Sequence, residues 1–141
     1  MAMTPKYEVL EHTADVGVRV QGATMAEVFA NAGYAMFDLM SGNDAVRPEV
    51  EHSAAVDAMD REELMVNWLS ELLFIFETER LLLSEFDIAE IDERHVRATV
   101  RGERFDAERH ESNFDIKAVT YYGLQVTQED SGWKATVIFD V

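Results

Sequence analysis

Hydrophobic and polar residues alternate along several stretches of this chain, and such alternation is typical of half-buried β-strands. The first alternating stretch begins just after Asp15 and ends at Gly22. A turn at Asp130-Ser131-Gly132 separates the last two stretches and predicts a hairpin. The predicted strands are residues 16–21, 50–58, 86–91, 95–101, a strand starting at Leu124, and 133–141.

Two longer segments repeat apolar residues at the spacing of an amphipathic helix. Each begins with the capping-box pattern, in which a Thr or Asp is followed three residues later by Glu. These pairs are Thr24 with Glu27 and Asp60 with Glu63. The first helix is predicted to stop at Ser41-Gly42-Asn43 and the second near Arg80.

The order of these elements is β-α-β-α followed mainly by β. Strands with one polar face favour antiparallel sheets packed against helices. We therefore expect an α+β fold, with largely antiparallel sheets on two main helices. We expect residues 1–141 to form a single domain, because 141 residues is the usual size of one.

The composition of the chain excludes several kinds of site and indicates which kinds of partner it can bind. The chain has no cysteine, which excludes a disulfide scaffold, a thiolate zinc site and a cysteine nucleophile. Its 28 acidic and 12 basic residues give a formal net charge of −16. Such a surface repels phosphate backbones and attracts cations or a basic partner, although it can also serve solubility alone.

The sequence carries no pattern that indicates export or membrane insertion. Its first ten residues lack a basic end followed by an apolar run. The longest apolar segment, 64–83, is interrupted by Asn67 and three glutamates, so it does not supply the ~20 apolar residues of a membrane span. We expect a cytoplasmic protein with no membrane partner.

Two carboxylates lie one residue apart at the end of the last predicted strand, on Asp140 and on the main chain of Val141. Carboxylates this close repel each other unless a cation lies between them. Asp15 would add a third oxygen group if the first and last strands were adjacent, and oxygen ligands suit Ca²⁺, Mg²⁺ or Mn²⁺. The alternative is that Asp140 is a solvated residue at a chain end, and local spacing does not bring Asp15 to it.

The residues of a self-sufficient enzyme are not recognisable. His12, beside Asp15, could be a metal ligand, a base or a hydrogen-bonding turn residue. The serines lie in ordinary turn, cap or surface positions, so no Ser-His-Asp triad can be assembled. The phosphate-loop, GxGxxG and HExxH patterns do not occur in the sequence.

Two other segments have unusual compositions. Arg94, Arg97, Arg101 and Arg104 could dock an acidic partner, or they could pair with local acids. We favour pairing, here with Glu103, Asp106, Glu108 and Glu111. The block 114–123 carries Lys117 and two adjacent tyrosines before a glycine, and it could form an interface or the edge of a core.

Five blocks of the sequence, in order and over nearly the whole chain, resemble the archease family. They are Glu11–Gly17, 29–32 leading to 36–40, 67–73 running into 83–86, 116–124, and 137–141. The resemblance implies a small acidic α+β protein that assists the RtcB-type tRNA-splicing RNA ligase. Such a protein promotes guanylylation of the ligase's histidine and hence multiple turnover, does not join RNA itself, and meets RNA only through the ligase.

The resemblance also implies a set of site residues. Asp15, Asp140 and Val141 would bind a divalent cation, with Ca²⁺ the first choice and Mg²⁺ or Mn²⁺ as alternatives. His12 would orient the cation site, and Lys117 would contribute to activation of the ligase. Position 122 is a tyrosine where many archeases have a histidine, so we assign it no role in the reaction.

Two other classes of function remain open. A chaperone or binding module for RNA-processing proteins would depend on exposed apolar surface. A stand-alone metal-dependent hydrolase would be active without a partner, and the missing nucleophile and base argue against it. We expect a non-catalytic protein whose acidic tip, formed by Asp15, Asp140 and Val141, enters the ligase's active-site cleft.

Overall fold

A computed structural model describes residues 6–11 and 15–141. In these residues the chain forms seven strands, two α-helices and a short 3-10 helix at Asn43–Ala45. The elements, in order, are β1 (Tyr7–Glu11), β2 (Asp15–Gly22), α1 (Met25–Ser41), β3 (Val50–Asp57), α2 (Arg61–Glu79), β4 (Leu81–Ile91), β5 (His95–Arg104), β6 (Ala118–Glu129) and β7 (Gly132–Asp140).

The strands form two antiparallel sheets, and the predicted α+β class is confirmed. The four-stranded sheet has the order β1-β2-β7-β6, and the three-stranded sheet has the order β3-β5-β4. The four-stranded sheet thus combines the first two strands with the last two. This topology makes β2 and β7 direct neighbours, which local patterning could not establish.

Both helices pack against both sheets. Helix α1 contacts β2 and β4, whereas α2 contacts β6 and β3. The largest buried side chain is that of Trp68 on α2, and its indole N–H donates a 2.9 Å hydrogen bond to the carbonyl oxygen of Phe29 on α1. This bond joins the two helices inside the core. No helix in the described ranges is long and apolar enough to cross a membrane.

Both predicted helix starts are confirmed. The side chain of Thr24 accepts a hydrogen bond from the backbone N–H of Glu27, and that of Asp60 accepts one from Glu63. The carboxylate of Glu63 reaches back to the N–H of Met59, one residue before the cap. These contacts satisfy N–H groups that have no partner inside a helix.

The largest differences between the predicted and observed strands concern β1, β4 and β6. Strand β1 was not predicted, because it is an edge strand whose Val9 is 41% exposed and whose alternation is weak. Strand β4 starts at Leu81 rather than Phe86, because residues 81–83 are all buried and extend the apolar run of α2. Strand β6 starts at Ala118 rather than Leu124, because a bulge after Thr120 interrupts its alternation.

Candidate cation and partner-binding site

The antiparallel pairing of β2 and β7 brings together two of the predicted site residues. Asp15 lies directly opposite Asp140, and Asp140 in turn lies opposite Ala118 on β6. Directly opposed residues of neighbouring strands present their side chains on the same face, with β-carbons about 5 Å apart. The two aspartates therefore form a carboxylate pair where three strands meet.

This pair lies on the face of the sheet that the helices do not cover. Val16, Val18 and Val20 point into the core, so Asp15 and Gly17 belong to the opposite face of β2. Next to the pair on that face, Ile138 lies opposite Gly17 and is only 6% exposed. A β-carbon at Gly17 would lie 2.7 Å from Ile138 Cδ1, so the glycine leaves the space that this side chain occupies.

The environment of Asp15 is suited to a cation. Its Oδ1 atom is buried and has no hydrogen-bond partner within residues 6–11 and 15–141. A buried carboxylate oxygen without a partner is costly, and a bound cation would offset that cost. The two carboxylates supply hard oxygen donors of the kind that Ca²⁺ and Mg²⁺ prefer. The residues present therefore fit a divalent cation.

A complete set of side-chain ligands is not present in the described part of the chain. No group of three or more His, Asp or Glu side chains with metal-binding geometry occurs there. A third donor would have to come from the main chain, from water or from the partner. Val141 directly follows Asp140 and is half-buried, so its main-chain oxygen is the nearest protein candidate in sequence.

His12 and Lys117 are the other two predicted site residues. His12 lies outside the described residues. Lys117 is exposed and directly precedes β6, and its backbone N–H donates a 2.8 Å hydrogen bond to the carbonyl oxygen of Asp140. Lys117 is thus fixed to the same end of β7 as the carboxylate pair.

The model of the Archease protein family (MTH1598/TM1083) matches residues 7–141 of this chain. The chain belongs to the archease family. An archease from Methanosarcina mazei is 40% identical over 140 residues, with 96% of each chain covered. One from Methanopyrus kandleri is 37% identical over 138 residues, with 96% of this chain and 99% of the relative covered.

Solved structures agree with the archease fold. The solution structure of protein 1598 from Methanobacterium thermoautotrophicum is similar with a TM-score of 0.82 and 37% identity, covering 96% of this chain and 99% of that protein. A crystal structure from Thermotoga maritima, described as an archease and possible chaperone, has a TM-score of 0.67. At 18% identity, that similarity concerns the fold alone.

Two of the four clustered arginines, Arg97 and Arg101, pair with acids, although not with those predicted. Arg97 forms a 2.7 Å ion pair with Glu90 on β4, and Arg101 forms a 3.0 Å ion pair with Glu51 on β3. The predicted partners Glu103, Asp106, Glu108 and Glu111 were wrong for these two arginines. Pairing follows strand neighbours across the sheet, because side chains on adjacent strands lie closer than those along the following loop.

Sequence reasoning missed a buried polar cluster around Glu103. Arg109 donates two hydrogen bonds to its carboxylate, at 2.8 and 3.1 Å, and the backbone N–H of Arg47 donates a third at 3.0 Å. His110 Nε2 lies 2.9 Å from the same carboxylate. His110 Nδ1 accepts from the backbone N–H of Asp106, so the ring proton belongs on Nε2.

The Glu103 cluster fixes the segment that leads to Lys117. The hydrogen bonds from Arg109, above all, lower the pKa of the Glu103 carboxyl to about 2, so it is ionised at neutral pH. Farther along the same segment, the N–H groups of Asn113 and Phe114 bond to the last carbonyls of α1. The charged Glu103 therefore anchors a loop whose far end reaches the carboxylate pair. In the sequence, this cluster is indicated only by the separation of six residues between Glu103 and Arg109.

Proposed function

We propose that this archease is a non-catalytic activator of an RtcB-type tRNA-splicing RNA ligase, which it helps to become guanylylated and to turn over repeatedly. The observation that supports the proposal is the Asp15–Asp140 carboxylate pair, in which an Asp15 oxygen has no hydrogen-bond partner among the residues that the structure describes. Membership of the archease family supplies the reaction context. The chain's own residues suit a docking and positioning role.

The acidic tip, formed by Asp15, Asp140 and a main-chain oxygen of Val141, would hold one divalent cation. Ca²⁺ is the preferred ion because it accepts incomplete and irregular oxygen shells, and Mg²⁺ or Mn²⁺ are the alternatives. His12 would orient the cation site. Lys117 would place a positive charge beside the carboxylates, where it can contact a phosphate or carboxylate of the ligase complex.

The partner of such a tip should be basic. A net charge of −16 steers the protein toward a cationic cleft and away from free RNA. RNA would therefore be met only through the ligase. Activation of the ligase would take place in the cytoplasm, without a membrane partner.

The test is multiple-turnover RNA ligation with ligase alone, this protein alone, and both together. The ligase alone should stop after about one round, this protein alone should join nothing, and the mixture should continue. Asp15→Asn and Asp140→Asn should each abolish the gain while the protein stays folded. Asp130→Asn, in the exposed turn at the other end of β7, is the matched control. Full turnover with both tip variants would overturn the proposal.

A second candidate is a chaperone or binding module for RNA-processing proteins. Exposed apolar side chains favour it, notably Met59 and Phe74, which are 72% and 58% exposed. It predicts that this protein reduces aggregation of the ligase on heating and that the aspartate variants do so equally well. Light scattering of heated ligase with each variant separates the two functions.

A further inference from the structure

The edge strand β6 carries a bulge close to the acidic tip. Thr120 lies opposite Ile138 and Gln125 lies opposite Thr136, so the four residues 121–124 face the single residue Val137. The extra residues therefore bulge out of the regular strand. Bulges of this kind often reorient side chains beside functional sites.

Local contacts fix the shape of this bulge. The hydroxyl of Thr120 accepts a 3.0 Å hydrogen bond from the N–H of Tyr122. Gly123 has a φ of 72°, in the left-handed region that favours glycine, and Leu124 returns to the core. The two tyrosines between these anchors are therefore held in a defined backbone conformation.

Both tyrosine side chains point to solvent. Tyr121 is 58% exposed and Tyr122 is 82% exposed. Large aromatic side chains so exposed and so close together are unusual, because burying either one would contribute to stability. Since their backbone is already ordered, a partner could bind them at little cost in entropy.

The bulge and the carboxylate pair share one face of the sheet. The position of a β-carbon at Gly123 is 3.7 Å from Ile138 Cγ1, so the bulge lies over the Ile138 side chain. Ile138 is two residues from Asp140 on the same face of β7, a distance of about 7 Å along a strand. A partner that covers the carboxylate pair and Ile138 therefore lies beside the backbone that carries the tyrosines.

We propose that Tyr121 and Tyr122 form an aromatic anchor that docks on the basic protein surface at the mouth of the ligase cleft. This inference rests on the proposed function and adds to it a surface that supplies affinity rather than a role in guanylylation. The −16 charge of the chain selects a cationic partner, and tyrosine faces bind Arg and Lys side chains favourably. Tyrosine is also among the residues that most often dominate binding at interfaces.

Exposed tyrosines can also stack with the bases of single-stranded RNA, which is the alternative binding partner. The neighbouring carboxylates of Asp15 and Asp140 argue against it, because they would repel the phosphates of a strand lying across the bulge. Lys117 alone does not offset the two negative charges. A basic protein surface is therefore the expected binding partner of the two tyrosines.

The experiment measures the affinity of the full-length protein for purified ligase by biolayer interferometry, and ligation at saturating protein. Tyr122→Ser, and the double change with Tyr121→Ser, should raise the Kd about tenfold or more, with ligation at saturation unchanged. Tyr122→Phe, which keeps the ring, should bind almost as wild type. Phe74→Ser is the matched control, since Phe74 on α2 is also 58% exposed.

The outcomes separate this inference from the proposed function. An unchanged Kd for the double tyrosine variant, or an equal loss with Phe74→Ser, overturns the inference even if the aspartate variants abolish turnover. Tyrosine-dependent binding of a single-stranded RNA oligonucleotide in the absence of ligase also overturns it. If the aspartate variants keep full turnover while the tyrosine variant loses affinity, the anchor stands and the acidic tip is wrong.

Discussion

The Cδ1 atom of Ile138 occupies the space that a β-carbon at Gly17 would need, with 2.7 Å between the two positions. Leu10 Cβ, on the other neighbouring strand, would lie 3.3 Å from the same carbon. The three strands β1, β2 and β7 therefore pack closely around Gly17, beside the carboxylate pair. This close packing makes the outer face of the sheet sensitive to one added methyl group.

Gly17→Ala should destabilise the protein by about 1–3 kcal/mol, because the new methyl group overpacks this face. Ile138→Val removes the Cδ1 atom and should relieve the clash. The double variant should therefore be more stable than the sum of the single changes predicts, as measured by urea denaturation. Strict additivity would mean that these two residues do not compete for space.

Addition of Ca²⁺ should raise the melting temperature of the wild-type protein. A cation that binds only the folded state stabilises it by about 2.7 kcal/mol at a concentration 100 times its Kd. Asp15→Asn and Asp140→Asn should lose this response. Without divalent cations, in EDTA, both variants should melt at or above the wild-type temperature, because they remove the repulsion within the pair.

Asp130→Asn is the control for the calcium response. It removes one acid from the same strand hairpin without touching the carboxylate pair. If all three variants respond to calcium as the wild type does, the cation binds elsewhere or only to the general negative surface.

Glu103→Gln should make the stability of the protein less dependent on pH. The pKa of the native Glu103 carboxyl is about 2, below its ordinary value of 4.5, so its contribution is complete above about pH 5 and is lost as the pH falls toward 2. At pH 7 the glutamine variant should be less stable by about 2 kcal/mol, because it loses charge-assisted hydrogen bonds. Urea titrations between pH 7 and pH 3 should show this difference shrinking. A difference independent of pH would contradict the assigned role of the charge.

Trp68→Phe should be costly, because it removes the hydrogen bond from the indole N–H to the carbonyl oxygen of Phe29 and also removes core volume. We expect a loss of about 3 kcal/mol in chemical denaturation. Trp133 is half-buried, with Arg61 near its ring, and Trp133→Phe should cost well under half as much. Equal losses would show that the hydrogen bond between the helices contributes little.

The parts of the fold that local chemistry determines could be predicted. The caps at Thr24 and Asp60, and the alternation in β2 and β7, depend on neighbours within a few residues, and the structure confirms them. Strand β1 could not be found this way, because only pairing with β2 makes its residues extended. The start of β4 could not be predicted, because residues 81–83 are all buried and therefore lack the alternation that identifies a strand.

The candidate site was predictable in composition but not in geometry. Clustered carboxylates near both ends of the chain could be read from the sequence, and so could the tyrosine pair. That Asp15 lies opposite Asp140 depends on β7 inserting between β2 and β6, a contact between segments far apart in the chain. The bulge that displays Tyr122 depends on the register of β6 against β7, which only the assembled sheet defines.

The four-stranded sheet takes β1 and β2 from one half of the chain and β6 and β7 from the other. A backbone cut in the connection between α1 and β3 would therefore yield two fragments, each carrying one aspartate of the pair. Neither fragment could bring the two aspartates together by itself, and only their non-covalent reassembly would restore the pair. Fragment complementation, followed by the response to calcium, would then report directly whether the two halves have recombined in the native register.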